Sequence, residues 1–195
     1  MNLFIPNLRR TSLPCMLRLA LAGSLVAGCY GILHDQITYS ISAEYFTRMK
    51  FEQFDYADFG FPPRVFVAEI GFLATWWVGF FAGWFVARVT VPAFPHAVAF
   101  RHGVRGLFIV FASAFLAGIT GWALGAAHGP DYSSWEDTAT TLGIADLPGF
   151  VRVAYIHNAG YLGCIIGLIA AIIHLRRIVR GRCSHVEGTG DLGRI

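Results

Sequence analysis

Three histidines and one glutamate have the strongest claim on chemistry in this chain. His34, Glu69, His128 and His157 each stand toward the same end of one of four long apolar runs. Imidazole and carboxylate are the donors that hold Zn²⁺ and first-row redox metals such as iron. Asp35, Asn158 and Tyr161 lie beside two of them in sequence and could orient the ligands by hydrogen bonding. The expectation is a divalent-metal centre, Zn or Fe, made by His34, Glu69, His128 and His157, with Glu69 a ligand or general base.

Other readings use the same residues. Ionisable groups inside membrane helices can carry a proton or a polar ligand, and they can also form a hydrogen-bonded network that only fixes packing. Haem is a further alternative. His34 with His128 or His157 could be its axial ligands, and His102 with His174 a second pair. His96 and His185 read as interfacial or tail residues.

The elements that must position these groups follow from composition. The chain has 195 residues, of which 55% are hydrophobic and 14% charged. Soluble domains carry about 25% charged residues, so the shortfall points to the lipid bilayer as the main partner. A net charge of +3 is too small to suggest nucleic acid. Apolar runs cover residues 13–34, 65–91, 104–128 and 150–175, and a basic tail covers 176–195. Each run is long enough for a hydrocarbon core of about 30 Å. Backbone in lipid must satisfy its own hydrogen bonds, so the runs are helices. The fold class expected is all-α, a single domain forming a four-helix transmembrane bundle.

Basic residues set the orientation. Arg9, Arg10, Arg18, Arg88, Arg101, Arg105, Arg176, Arg177, Arg180, Arg182 and Arg194 flank one side, against Arg48, Lys50, Arg64 and Arg152 on the other. The positive-inside rule places both termini in the cytoplasm and the 35–64 and 129–149 loops outside. His128-Gly129-Pro130 closes the third run. Cys15, Cys29, Cys164 and Cys183 have no CxxC spacing, so they read as reduced thiols rather than a redox motif. Val26-Ala27-Gly28-Cys29 has the form of a lipobox. The competing reading is small residues for helix packing, since apolar sequence continues to Leu33.

Helical spacing gives the facing. His34 shares a face with Gly31, Ala27, Ser24 and Ala20, and His128 with Gly125, Gly121, Gly118 and Ala114. His157 shares one with Gly160, Cys164, Gly167 and Ala171, whereas Glu69 shares a mixed face with Phe72, Trp76, Gly79 and Gly83. Small residues let membrane helices approach closely, so all four groups are expected to point into the bundle. Heights match less well: Glu69 and His157 lie one to two turns inside their helices.

The 35–64 loop carries eight aromatic residues. Ile37, Tyr39 and Ile41 alternate with Thr38, Ser40 and Ser42 in a strand-like pattern. Ser42 can cap an amphipathic helix over 43–54. Such a segment is an interface anchor or a lid over the polar cluster. The acidic stretch at 131–137 reads as solvated polar sequence.

The run Gly31-Ile32-Leu33-His34-Asp35-Gln36-Ile37-Thr38, with Ser42-Ala43-Glu44-Tyr45-Phe46-Thr47, Val153-Ala154-Tyr155-Ile156-His157-Asn158 and Tyr161-Leu162-Gly163, resembles a family of small bacterial four-span membrane proteins with no assigned activity. The resemblance implies a bacterial inner membrane and nothing about chemistry. The expected function is a polytopic membrane protein with a metal or cofactor site at the periplasmic side of the bundle. The alternative is a non-catalytic accessory, transport or sensing protein whose polar cluster is structural or proton-binding. Oligomerisation or a partner membrane subunit fits either.

Overall fold

The structure is a computed structural model. It describes residues 10–129 and 131–190, and side chains as far as residue 182. Arg9, Pro130, Arg194 and the side chains of Cys183 and His185 lie outside what the structure describes.

Among the described residues, four helices are long and apolar enough to cross a membrane: Arg10–Ile41, Pro63–Thr90, His96–Ala126 and Leu147–Arg182. Their α-helical bounds define α1 (Leu13–Ile41), α4 (Pro63–Thr90), α5 (His96–Ala126) and α7 (Leu147–Gly190). Pro63 takes the first position of α4, where its missing N–H costs nothing. Asp146 precedes α7 and its Oδ1 accepts the Gly149 N–H at 3.1 Å, satisfying one of the orphan donors at the helix start.

Three helices outrun the apolar runs that announce them. α1 continues past His34 to Ile41, α5 starts at His96 rather than near 104, and α7 continues beyond residue 175. Backbone hydrogen bonding does not stop where the hydrocarbon does. Arginines and histidines sit readily in exposed helical turns, so Arg101, His102, Arg176 and Arg177 are helical. The strand-like alternation at 37–42 is overturned for the same reason. These residues finish α1, burying Thr38 and Ser42 and leaving Ile37 exposed.

Glycine decides which helices pair. A Cβ built on Gly31 would meet the Gly71 carbonyl oxygen, and one on Gly79 would meet that of Gly23, so α1 and α4 touch backbone to backbone. Thr75 Oγ1 adds a cross-helix hydrogen bond to the Ala27 carbonyl at 2.8 Å. α5 and α7 pair in the same manner, with Gly121 against Tyr155 and Gly163 against Ser113 and Ala117. The bundle is therefore two tight pairs. They meet along a seam filled by side chains, including Val86, Leu107, Val110, Ala171 and Leu175.

Each end of the bundle is tied. At one end Cys15 Sγ donates to the His96 carbonyl at 3.8 Å, and Arg182 Nη1 donates to that of Ala93 at 3.3 Å. At the other, the α1–α4 connection forms α2 (Ala43–Tyr45), a π-helical turn (Phe46–Lys50) and α3 (Phe51–Gln53). The 43–54 helix expected from sequence is thus present, with Ser42 at its N-cap but with no side-chain cap bond. Tyr45, Phe46 and Lys50 point inward and pack over the ends of α4 and α7.

The helix α6 (Glu136–Leu142) ends at Gly143, whose φ of 63° closes it in the left-handed region that glycine adopts without strain. The turn that follows is held by Glu44. Its carboxylate accepts the N–H groups of Ala145 and Asp146 at 3.0 and 2.7 Å, and these bonds hold its pKa below the ordinary 4.5. A depressed carboxylate contributes tethering that is present above its ordinary pKa and lost as pH falls through its lower folded value. Amide exchange at residues 144–147 should therefore accelerate as pH drops below 4.5, beyond the intrinsic pH trend. Glu44→Gln should remove that extra pH dependence, and an unchanged profile in the variant would contradict the assignment.

Candidate metal centre

His34 and Asp35 come from α1, in the turn before its last, and His157 from the third turn of α7. The two helices belong to different pairs, so the group spans the seam. One ligating atom from each residue lies within 4.8 Å of the others. His34 Nδ1 and Asp35 Oδ1 are 3.0 Å apart, and His157 Nε2 is 3.9 Å from the same oxygen. Donors around a tetrahedral metal with bonds near 2.0–2.1 Å stand about 3.3–3.4 Å apart. A small side-chain rotation would bring all three into place.

The surroundings hold the group in position. The His34 and His157 rings meet edge to face at 4.7 Å, and Tyr45 stacks on His157 at 4.9 Å. Thr38 Oγ1 donates to the His34 carbonyl at 3.1 Å and sits 3.4 Å from His157 Nε2. Phe46 is wholly buried against this layer. Tyr45 and Phe46 of the α1–α4 connection therefore pack directly on His157. Asp35 is only 4% exposed, and a buried carboxylate needs a positive partner or a proton. The hydrogen bond to His34 supplies a shared proton. A divalent cation between the same atoms would displace it and compensate the charge more fully.

The sequence placed four ligands together, and the structure distributes them differently. His34 and His157 meet. Glu69 faces a separate pocket with Ile32, Ala57, Phe59 and Phe72, where its Oε2 is buried without a hydrogen-bond partner among the described residues. His128 lies beyond the end of α5, stacked on Tyr132 at 4.8 Å with Tyr155 edge-on at 5.6 Å. The cause is the pairwise packing: the small-residue face of α5 that carries His128 is occupied by α7, and α4 turns its glycines to α1. Asp35, expected behind the ligands, stands among them. Tyr161 lines the adjoining cavity, whereas Asn158 is exposed. His102, offered as a haem ligand, lies against Phe94 at 4.7 Å. The edge-to-face contact of His34 and His157 leaves no gap for a porphyrin between them.

A cavity of about 70 Å³ opens beside the group. Tyr30, Phe111, Cys164 and Lys50 are among the lining residues that the sequence did not single out as site residues. Lys50 is 9% exposed and donates to Gln53 Oε1 at 3.1 Å. Burial pushes its pKa down, and Asp35 opposes the shift. Tyr45, at the mouth of the same layer, has its hydroxyl pushed up, chiefly by burial.

No protein-family model, curated protein or solved structure matches this chain.

Proposed function

We propose that this is a four-span protein of a bacterial inner membrane that binds one divalent first-row cation, Zn²⁺ or Fe²⁺, through His34, Asp35 and His157. The positive-inside distribution supports placing both termini in the cytoplasm and the site near the periplasmic face. The resemblance of its His34 and His157 segments to small bacterial four-span proteins supports the membrane assigned. The observation that carries the metal reading is the convergence of two imidazoles and one carboxylate within 4.8 Å, from two helix pairs. Two histidines and one carboxylate form a recurrent donor set for such metals. Three protein ligands with a cavity alongside leave a coordination position for a substrate oxygen, as catalytic rather than closed structural sites do. A bound cation would polarise that oxygen.

A second reading rests on the 3.0 Å contact of His34 with Asp35, which needs no ion. There the cluster would hold a proton and fix the helices in an accessory, transport or sensing protein.

Elemental analysis of protein purified without added metal separates the two. The metal reading expects close to one equivalent of zinc or iron, removed by chelator and restored by either ion. His157→Ala should lose it, with affinity falling by more than the roughly 10–100-fold typical of changing a ligand's hydrogen-bond partner. Metal-free wild-type protein that takes up neither ion on addition would leave the proton reading in its place.

A further inference from the structure

The cavity beside the candidate metal centre has a polarity gradient along the bundle axis. Its top is formed by His34, Asp35, Lys50 and His157. Below them the wall passes through Tyr30 and Tyr161 to Ala27, Val78, Phe111 and Ala114. From His34 to Ala27 on α1, and from His157 to Cys164 on α7, this descent covers about 10 Å at 1.5 Å per residue. The cavity thus begins at the α1–α4 connection and runs toward the middle of the spanning region.

Two further features limit what could enter. Lys50 is buried over the upper end in the π-helical turn, beside Asp35, so the head of a ligand would meet an ammonium there once the Asp35 charge is taken up by its shared proton or by the candidate cation. Tyr161 is 46% exposed within a spanning helix, so the edge it forms faces lipid rather than water. The volume is also discriminating. An engineered apolar cavity of about 150 Å³ accepts benzene, and this one is about 70 Å³. A narrow head group with its first few methylenes suits that volume better than a ring system.

We propose that the cavity binds a long-chain carboxylate lipid, its head beneath Lys50 and the candidate cation and its chain leaving past Tyr161 into the bilayer. The inference deepens the metal-site reading by naming a ligand class, but the Lys50 contact and the apolar channel do not depend on a metal. An anionic oxygen accepts a charge-assisted hydrogen bond from an ammonium, and the lower wall replaces lipid as surroundings for the chain.

The test counts palmitate bound per chain by native mass spectrometry, with metal content measured on the same sample. Hexadecanol serves as the neutral probe of equal chain length. Wild type should hold a single palmitate and bind hexadecanol about tenfold more weakly, the loss expected for one charge-assisted contact. Lys50→Gln should weaken palmitate by about the same factor and leave hexadecanol unchanged. Gly160→Leu should abolish both, because Gly160 lines the cavity and a Cβ there meets nothing within 4 Å, so a larger side chain has open space at that wall. Its thermal midpoint, close to wild type, confirms the fold. Equal binding of the two probes, or palmitate retained in Gly160→Leu, overturns the inference. Palmitate bound in a Lys50-dependent manner by metal-free protein supports it even where the metal reading fails. Metal without palmitate overturns it and leaves the metal reading standing.

Discussion

Asp35→Asn is expected to strip the cation from the protein while leaving the metal-free chain at least as stable as wild type. The carboxylate is nearly inaccessible and has His34 Nδ1 and His157 Nε2 at 3.0 and 3.9 Å. Without a metal, its charge is offset only by a shared proton and by Lys50 across the same cavity. A buried charge of this kind costs several kcal/mol to desolvate, and an amide of the same shape does not carry that cost. Asparagine keeps the shape and one hydrogen-bonding oxygen. With a metal, the balance reverses. At a cation concentration about 100 times the dissociation constant, binding stabilises the folded state by about 2.7 kcal/mol. A variant whose affinity is about 100-fold weaker retains only about 0.4 kcal/mol of that under the same conditions. For a chain of this length the difference corresponds to a thermal midpoint about 5–10 °C lower in the presence of metal. Thermal unfolding in detergent, with chelator and with added zinc, reads both halves. If the cluster were only a packing network, Asp35→Asn would be destabilising in chelator and zinc would move neither protein, which is the outcome that defeats the metal reading.

The spans were legible because hydropathy summed over about 20 residues is a strong signal and lipid leaves the backbone one choice. The helix ends were not, and that obscured the site. Ala27, Gly31, Asp35, Thr38 and Ser42 are all buried and follow one helical face, with Asp35 nearer its centre than His34. That face is visible only if α1 continues to Ile41, and the alternation of Ile37, Tyr39 and Ile41 hides the continuation. Glu69 and His128 were misplaced for a different reason. Glycine spacing says that a helix face is in close contact, but not with which neighbour, and here each pair uses its small faces on itself. Lys50 reaches the site through a π-helical turn, and five-residue hydrogen bonding shifts side chains off the 3.6-residue period by which sequence faces are read.

The pairwise use of glycine also makes Gly31→Val the most damaging single change expected in the spanning region. Gly31 lies one turn before Asp35 at the crossing of α1 and α4. A Cβ there would collide with the Gly71 carbonyl and Thr75 Oγ1, and a Cβ on Gly71 would collide with Gly31 in return. Overpacking a closed core costs about 1–3 kcal/mol where side chains can yield. Here the obstacle is backbone, so the helices must separate, and the Thr75 to Ala27 hydrogen bond lies in the same crossing. Separation would lose more than that range and would carry His34 and Asp35 away from His157, because α1 supplies two of the three ligands and α7 the third. Gly160→Ala is the matched control. It is also a spanning glycine near the ligands, yet its added methyl meets nothing within 4 Å. Thermal unfolding and zinc uptake should fall together in Gly31→Val and stay at wild-type values in Gly160→Ala. Normal zinc uptake by a well-folded Gly31→Val protein would mean that α1 and α4 do not meet at this crossing, and the pairing that places the ligands would have to be redrawn.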